Sequence, residues 1–269
     1  MSILSDHCKE LQGKPFFEPV SVFVINKGEP ELLYASAQLL TSWTQHIFAS
    51  TLCRMRSLEG PIGEHLLAGS TLAALILLRS HFEAASMAAY CLEQLTDASR
   101  QKQLSLLSKL IPKTLFGTSL KKHREKESVA DLLTLCEGDT IRICSAVASL
   151  DKFYFQEAAE GRLAVVYSIL CEFAHPNHRG VLDFMQSVRC DDGWLISYMN
   201  EEPPNPKMRA HALETLLVSM RCGYAAVEML RSWRFSQRGE EVDWHGPSES
   251  DAEHVWVRFM QREADSGIQ

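Results

Sequence analysis

The chain has 269 residues, 46% of them apolar, and a formal net charge of -7. A chain of that size and composition can bury a core without covalent staples. The acidic balance excludes a protein whose whole surface grips nucleic acid and confines any such contact to a local basic patch.

Eight cysteines (Cys8, Cys53, Cys91, Cys136, Cys144, Cys171, Cys190, Cys222) are scattered singly, mostly inside apolar runs, and no CxxC occurs. They are expected to be buried thiols in a reducing cytoplasm, and zinc-ribbon and thioredoxin-type chemistry is set aside. The amino terminus, MSILSDHCKE, lacks the positive start and apolar core of a signal peptide, so a cytoplasmic location is expected. The longest apolar-rich run, residues 66–78, is shorter than the ~20 residues of a bilayer span and reads as a core helix.

Taken in order, a lead-in over residues 1–28 holds VSVFVIN, which has the pattern of a short strand. A first long helix follows, apolar at helical spacing from Leu33, and Gly60-Pro61 reads as its stop. The central helix is expected from Glu64 onward, apolar on nearly every side and dense in small residues that let neighbours approach closely. A shorter helix is expected to stop near Pro112, followed by a polar loop, GTSLKKHREKES. VADLLTLCEGDTIRICSAVASLDKFYF, with Gly138 inside it, reads as two short helices or one broken helix, and the next puts Leu163, Val166, Leu170 and Phe173 on one core face. RCDDG between two β-leaning runs predicts one hairpin, and a final long helix is expected just after Pro206. Residues 236–269 are expected to be a polar linker and a short amphipathic helix at 254–263, suited to a protein partner. The bundle domain is thus placed at 29–235.

Three constellations carry chemistry. The stretch LCEFAHPNHRG ends a helix at a His-Pro break, with Ser168, Glu172 and His175 spaced by four and three on one stripe. A carboxylate beside an imidazole suits proton transfer. The same position suits a histidine that merely caps its helix, because the residue before proline leaves the α region and the helix end favours a cation. Cys171, His175 and His178 lack a fourth ligand, and Pro176 breaks the helix between the two histidines, so no metal and no cofactor is expected. Second, Arg79 and Glu83 stand at i,i+4 in the apolar central helix, as a structural ion pair or one wall of a polar pocket that Glu172 or His175 would complete. Third, Lys121, Lys122, Arg124 and Lys126 form a basic run suited to phosphate, interrupted by Glu125 and Glu127 and without interleaved aromatics.

The order of these features, RSHFEAA on a long helix, LCEFAHPN at the end of a later one, then a hairpin-like stretch and another helix, resembles a group of bacterial helical proteins related to the HEPN superfamily. The resemblance spans roughly residues 64–233. It implies an all-α, HEPN-like helical bundle with one small β-hairpin inserted after the His-Pro helix end, dimerisation, and a defence or regulatory assembly. HEPN nucleases carry Arg, four to six residues, then His on one helix. Here Ser168, Ile169 and Leu170 occupy the positions where that arginine would precede His175, and the Arg238–His245 spacing falls in a Gly-bearing acidic segment. The reading is therefore a non-enzymatic helical binding or scaffold protein, expected to be a homo-oligomer without membrane contact. The alternatives are a metal-independent ribonuclease using His175, Glu172, Arg79 and Glu83 on RNA, and a small-ligand binder between helices.

Overall fold

The computed structural model describes residues 37–103, 105–108, 110–116, 141–155, 161–175, 185–198, 205–238 and 241–247. Among them the helices are α1 (Ala37–Ala68), α2 (Thr71–Gln101), α3 (Ser105–Ser108), α4 (Leu110–Phe116), α5 (Ile143–Phe155), α6 (Arg162–Ala174) and α7 (Pro206–Ser232). Four strands form two antiparallel hairpins, β1 (Met185–Cys190) with β2 (Gly193–Tyr198) and β3 (Arg234–Arg238) with β4 (Glu241–His245). The described residues are mostly helical, as the periodicity predicts, but they carry two small hairpins rather than one.

The first long helix does not stop at Gly60-Pro61. Leu40, Trp43, Ile47, Thr51, Met55, Glu59, Ile62 and Leu66 make one buried stripe at spacings of three and four, and it runs straight through that dipeptide. Gly60 and Pro61 lie on the exposed side, where the carbonyl of Ser57, also exposed, can turn to solvent in place of the hydrogen bond that proline cannot give. The stop is Gly69, at φ +83°, inside a stretch expected to belong to the second helix. Its N–H reaches the carbonyl of Leu66 and that of Ser70 reaches His65, the pair of bonds that closes a helix through a left-handed glycine.

α2 is the central helix, packed against α1, α5, α6 and α7. Leu75, Leu78, Phe82 and Leu95 are fully buried, each worth roughly 1.5–3 kcal/mol of apolar transfer. By length and composition alone α2 could cross a membrane, but 56% of its most apolar window is buried inside the bundle, as in a core helix. Its small residues work as expected: a Cβ on Gly223 of α7 would stand 2.9 Å from the Cβ of Ala85, so the two helices touch at a glycine.

The helix expected to stop near Pro112 is redistributed. α2 runs on to Gln101 and ends on Lys102 at φ 51°, and α4 then contains Pro112 at its third residue. A proline in the first turn displaces no intrahelical bond, so it starts this helix rather than ending one. α6 begins at Gly161, where the buried carboxylate of Asp151 on α5 accepts from the N–H groups of Gly161 (3.0 Å) and Leu163 (2.9 Å). Leu163, Leu170 and Phe173 are buried, with Val166 half-buried beside them. α7 starts at Pro206, capped by the Asn205 side chain accepting from the Met208 N–H at 3.0 Å.

β1 and β2 turn at Asp191-Asp192, with Cys190 opposite Gly193, at the RCDDG signal. β3 and β4 fall where a polar linker was expected. Phe235 pairs directly with Trp244, their rings 5.8 Å apart, and Trp233 stacks on Phe235 at 6.0 Å. This aromatic cluster, with buried Val242, seats β3 on α1. Arg238 and His245 consequently lie on strands. The expectations for residues 1–28, for Lys121, Lys122, Arg124 and Lys126, for His178, and for the helix at 254–263 fall outside the described residues.

Candidate functional site

Arg79 and Glu83, one turn apart on α2, do meet a residue of α6, and that residue is Tyr167. The Tyr167 hydroxyl donates to Glu83 Oε1 at 2.9 Å, and Arg79 Nη2 approaches the same hydroxyl at 3.5 Å with its guanidinium over the ring. Arg79 Nε lies 3.2 Å from Glu83 Oε1, but its N–H is not aimed along that line, so the contact is an ion pair rather than an aligned hydrogen bond. Burial raises the Tyr167 phenol well above its ordinary value, and the Glu83 and Cys171 side chains add to this while Arg79 pulls the other way. Tyr167 therefore stays a neutral donor. Burial pulls the Arg79 guanidinium down, but Tyr167, Cys171 and Glu83 together outweigh it and hold it above its usual range. On the far side of Glu83, Arg54 of α1 brings Nη2 to 4.0 Å from Oε2.

From the stretch LCEFAHPN it is thus Cys171, one turn after Tyr167, that adjoins Arg79. Ser168, Glu172 and His175 are exposed. His175 closes α6 in extended geometry, φ -93° and ψ 145°, with its N–H on the carbonyl of Cys171 at 3.0 Å. That is the helix-end position the following proline predicts. The contacts described for Arg79 and Glu83 run to Tyr167, Cys171 and Arg54. Among the described residues no group of three His, Cys, Asp or Glu side chains could hold a metal ion. The expectation of uniformly buried thiols is corrected: Cys91 and Cys222 are buried, each pushed up to about 12 by burial, whereas Cys53, Cys144 and Cys190 are exposed on outward faces.

A second polar cluster went unread in the sequence although His81 sits inside RSHFEAA. His81 Nε2 lies 3.2 Å from Glu59 Oε1 and its Nδ1 lies 2.8 Å from Ser219 Oγ, while the Tyr224 hydroxyl donates to the same Glu59 oxygen at 2.6 Å. The network assigns the ring proton facing Glu59 to Nε2, with Nδ1 accepting from Ser219. Burial, then the Glu59 carboxylate, raises the Tyr224 phenol far above its usual value. Serine, histidine and glutamate in line have the composition of a hydrolytic triad, but all are buried and the serine meets Nδ1, the opposite ring nitrogen from the one such triads use. The cluster instead joins α1, α2 and α7 at one level of the core. Its only signal in the chain was a set of polar residues at positions where the apolar period called for core.

Glu83 also reaches a cleft. About 420 Å³ of space opens between α1, α2, α4 and the start of α5, lined among the described residues by apolar Ile47, Ala84, Met87, Ile141 and Ile143 and by polar Ser50, Thr51, Arg54, Glu83, Lys113 and Thr114. Thr114 Oγ1 is held in place, accepting from Trp43 Nε1 at 2.7 Å and donating to the carbonyl of Ile111 at 2.9 Å. An apolar lining with a few fixed polar groups, at this volume, is how small-molecule seats between helices are built. No family model matches the chain, and neither a curated protein nor a solved structure matches it.

Proposed function

We propose that the chain is a non-enzymatic, HEPN-like helical binding protein whose small-molecule seat is the cleft beside Glu83. One observation carries this reading: the polar cluster built on Arg79 and Glu83 meets solvent through a mixed apolar and charged cleft, whereas His175 and Glu172 stand on an exposed helix end. A general acid or base must lie within hydrogen-bond reach of the proton it moves, beside groups that hold the reacting phosphate. Arg79 is engaged by Glu83 and Tyr167, and the raised phenol of Tyr167 gives up no proton near neutral pH.

The test has two arms. Purified protein is incubated with mixed RNA and chelator beside His175→Ala; cleavage that disappears in the variant would replace this proposal with the ribonuclease. A thermal-shift screen of small anions, alcohols and amines is run on the protein and on Met87→Trp, which fills the cleft. Stabilisation in the former that is absent in the latter is the expected result.

A further inference from the structure

We infer that the cleft is built for an amphipathic monoanion, a carboxylate or phosphate head carrying a short apolar body; the inference rests on the cleft being a ligand seat at all. Among the described residues the lining charges are Arg54, Lys113 and Glu83. The Glu83 carboxylate is already satisfied from behind, by the Tyr167 hydroxyl at 2.9 Å and the Arg79 guanidinium at 3.2 Å. Its negative charge is therefore largely spoken for before a ligand arrives.

Arg54 and Lys113 differ from it. The Arg54 side chain is 57% exposed and touches Glu83 only at 4.0 Å, the outer limit of an ion pair, so its fork of donors is open to a planar or tetrahedral anion. Lys113 of α4 is exposed as well. The described lining is thus net positive, with one guanidinium from α1 and one ammonium from α4. The Ser50 and Thr114 hydroxyls donate to the backbone carbonyls of Ile47 and Ile111, so holding an anionic head falls to the two cations. Among the same lining residues, Ile47, Ala84, Met87, Ile141 and Ile143 supply apolar surface. A free inorganic anion would leave that apolar lining wet, and a neutral apolar molecule would make no use of the two cations. A head joined to a tail uses both kinds of lining.

The experiment compares decanoate, decyl phosphate, 1-decanol and inorganic phosphate, each below its aggregation limit, by calorimetry and melting shift on the full chain, on Arg54→Gln, on Lys113→Gln, and on the two cleft-filling variants Met87→Trp and Ile143→Trp. Filling from two different helices, α2 and α5, guards against one variant failing to fold, which its unliganded melting temperature reports. Expected is binding of decanoate or decyl phosphate at least about tenfold tighter than decanol, reduced toward the decanol value in Arg54→Gln and lost on filling. Which of the two heads binds tighter separates a carboxylate ligand from a phosphate one. Equal binding of decanol and the anions, lost on filling, overturns the anion assignment and leaves the seat standing. Binding of inorganic phosphate alone overturns the apolar half of the assignment. Absence of binding by all four, or binding unchanged in both filled variants, overturns the seat itself.

Discussion

Replacing Glu59 by alanine should be among the most damaging single changes in the bundle, and the structure gives its size. One carboxylate oxygen accepts from the Tyr224 hydroxyl at 2.6 Å and lies 3.2 Å from His81 Nε2, and both partners are buried. Truncation orphans two buried polar groups, at about 1–3 kcal/mol each, and opens a void between α1, α2 and α7. The sum, about 3–5 kcal/mol, matches what breaking a buried charged network usually costs and is a large part of a typical domain's total stability. In urea unfolding with an m-value of about 3 kcal/mol/M, the midpoint should fall by about 1–1.7 M. Glu59→Gln, which keeps an acceptor in place, should lose less. The cycle Glu59→Ala with Tyr224→Phe should show coupling of about 0.5–3 kcal/mol, because removing the phenol hydroxyl also removes one of the orphans. A loss below about 1 kcal/mol for Glu59→Ala, or additive single changes, would mean the cluster is not the joint described above.

Two further outcomes are expected from the packing and the ion pairs. Gly223→Ala should destabilise by about 1–3 kcal/mol, since its Cβ would stand 2.9 Å from that of Ala85 and α7 would have to move off α2. Gly60→Ala, with nothing within 4 Å, should stabilise by about 0.5–1 kcal/mol, and equal signs in thermal melts of the two would contradict this account. On the outer face of α2, burial pushes the Glu93 carboxyl up, but hydrogen bonds from Lys152 (2.7 Å) and Ser149 outweigh it and hold it below the ordinary 4.5. A carboxyl depressed in the folded state contributes stability above its unfolded pKa and loses it as pH falls through the folded value. Wild type should therefore exceed Lys152→Met by about 0.5 kcal/mol near neutral pH, a small figure because Lys152 is 62% exposed, and the gap should close below the usual carboxylate range; a gap that persists at pH 2 would contradict the pairing.

The site illustrates how a one-residue rotation decides chemistry. Sequence spacing puts Ser168, Glu172 and His175 on one stripe of α6, and that stripe exists; it faces outward. The stripe carrying Tyr167 and Cys171 is one residue away, a turn of about 100° around the helix, and that is the one aimed at Arg79 and Glu83. Periodicity shows which residues lie together but carries no mark of which neighbour each face meets. The engagement of Arg79 with Glu83 at i,i+4 was legible because it is local; the hydroxyl from Tyr167, 84 residues downstream, was not.

What the chain determined by itself was whatever depends on a few neighbouring residues: the helical periods, the Asn205-Pro206 start of α7, the turn at Asp191-Asp192, and the place of His175 at a helix end ahead of a proline. Tertiary structure decided the rest, by burial. A continuous apolar stripe carried α1 through Gly60-Pro61 to Gly69 against the local stop signal. Packing of Trp233, Phe235 and Trp244 turned a polar-looking segment into the β3–β4 hairpin. The joint of Glu59, His81, Ser219 and Tyr224 draws on residues up to 165 positions apart. In each case the winning energy is the desolvation of side chains against partners distant in the chain, and that energy exists only once the helices have met.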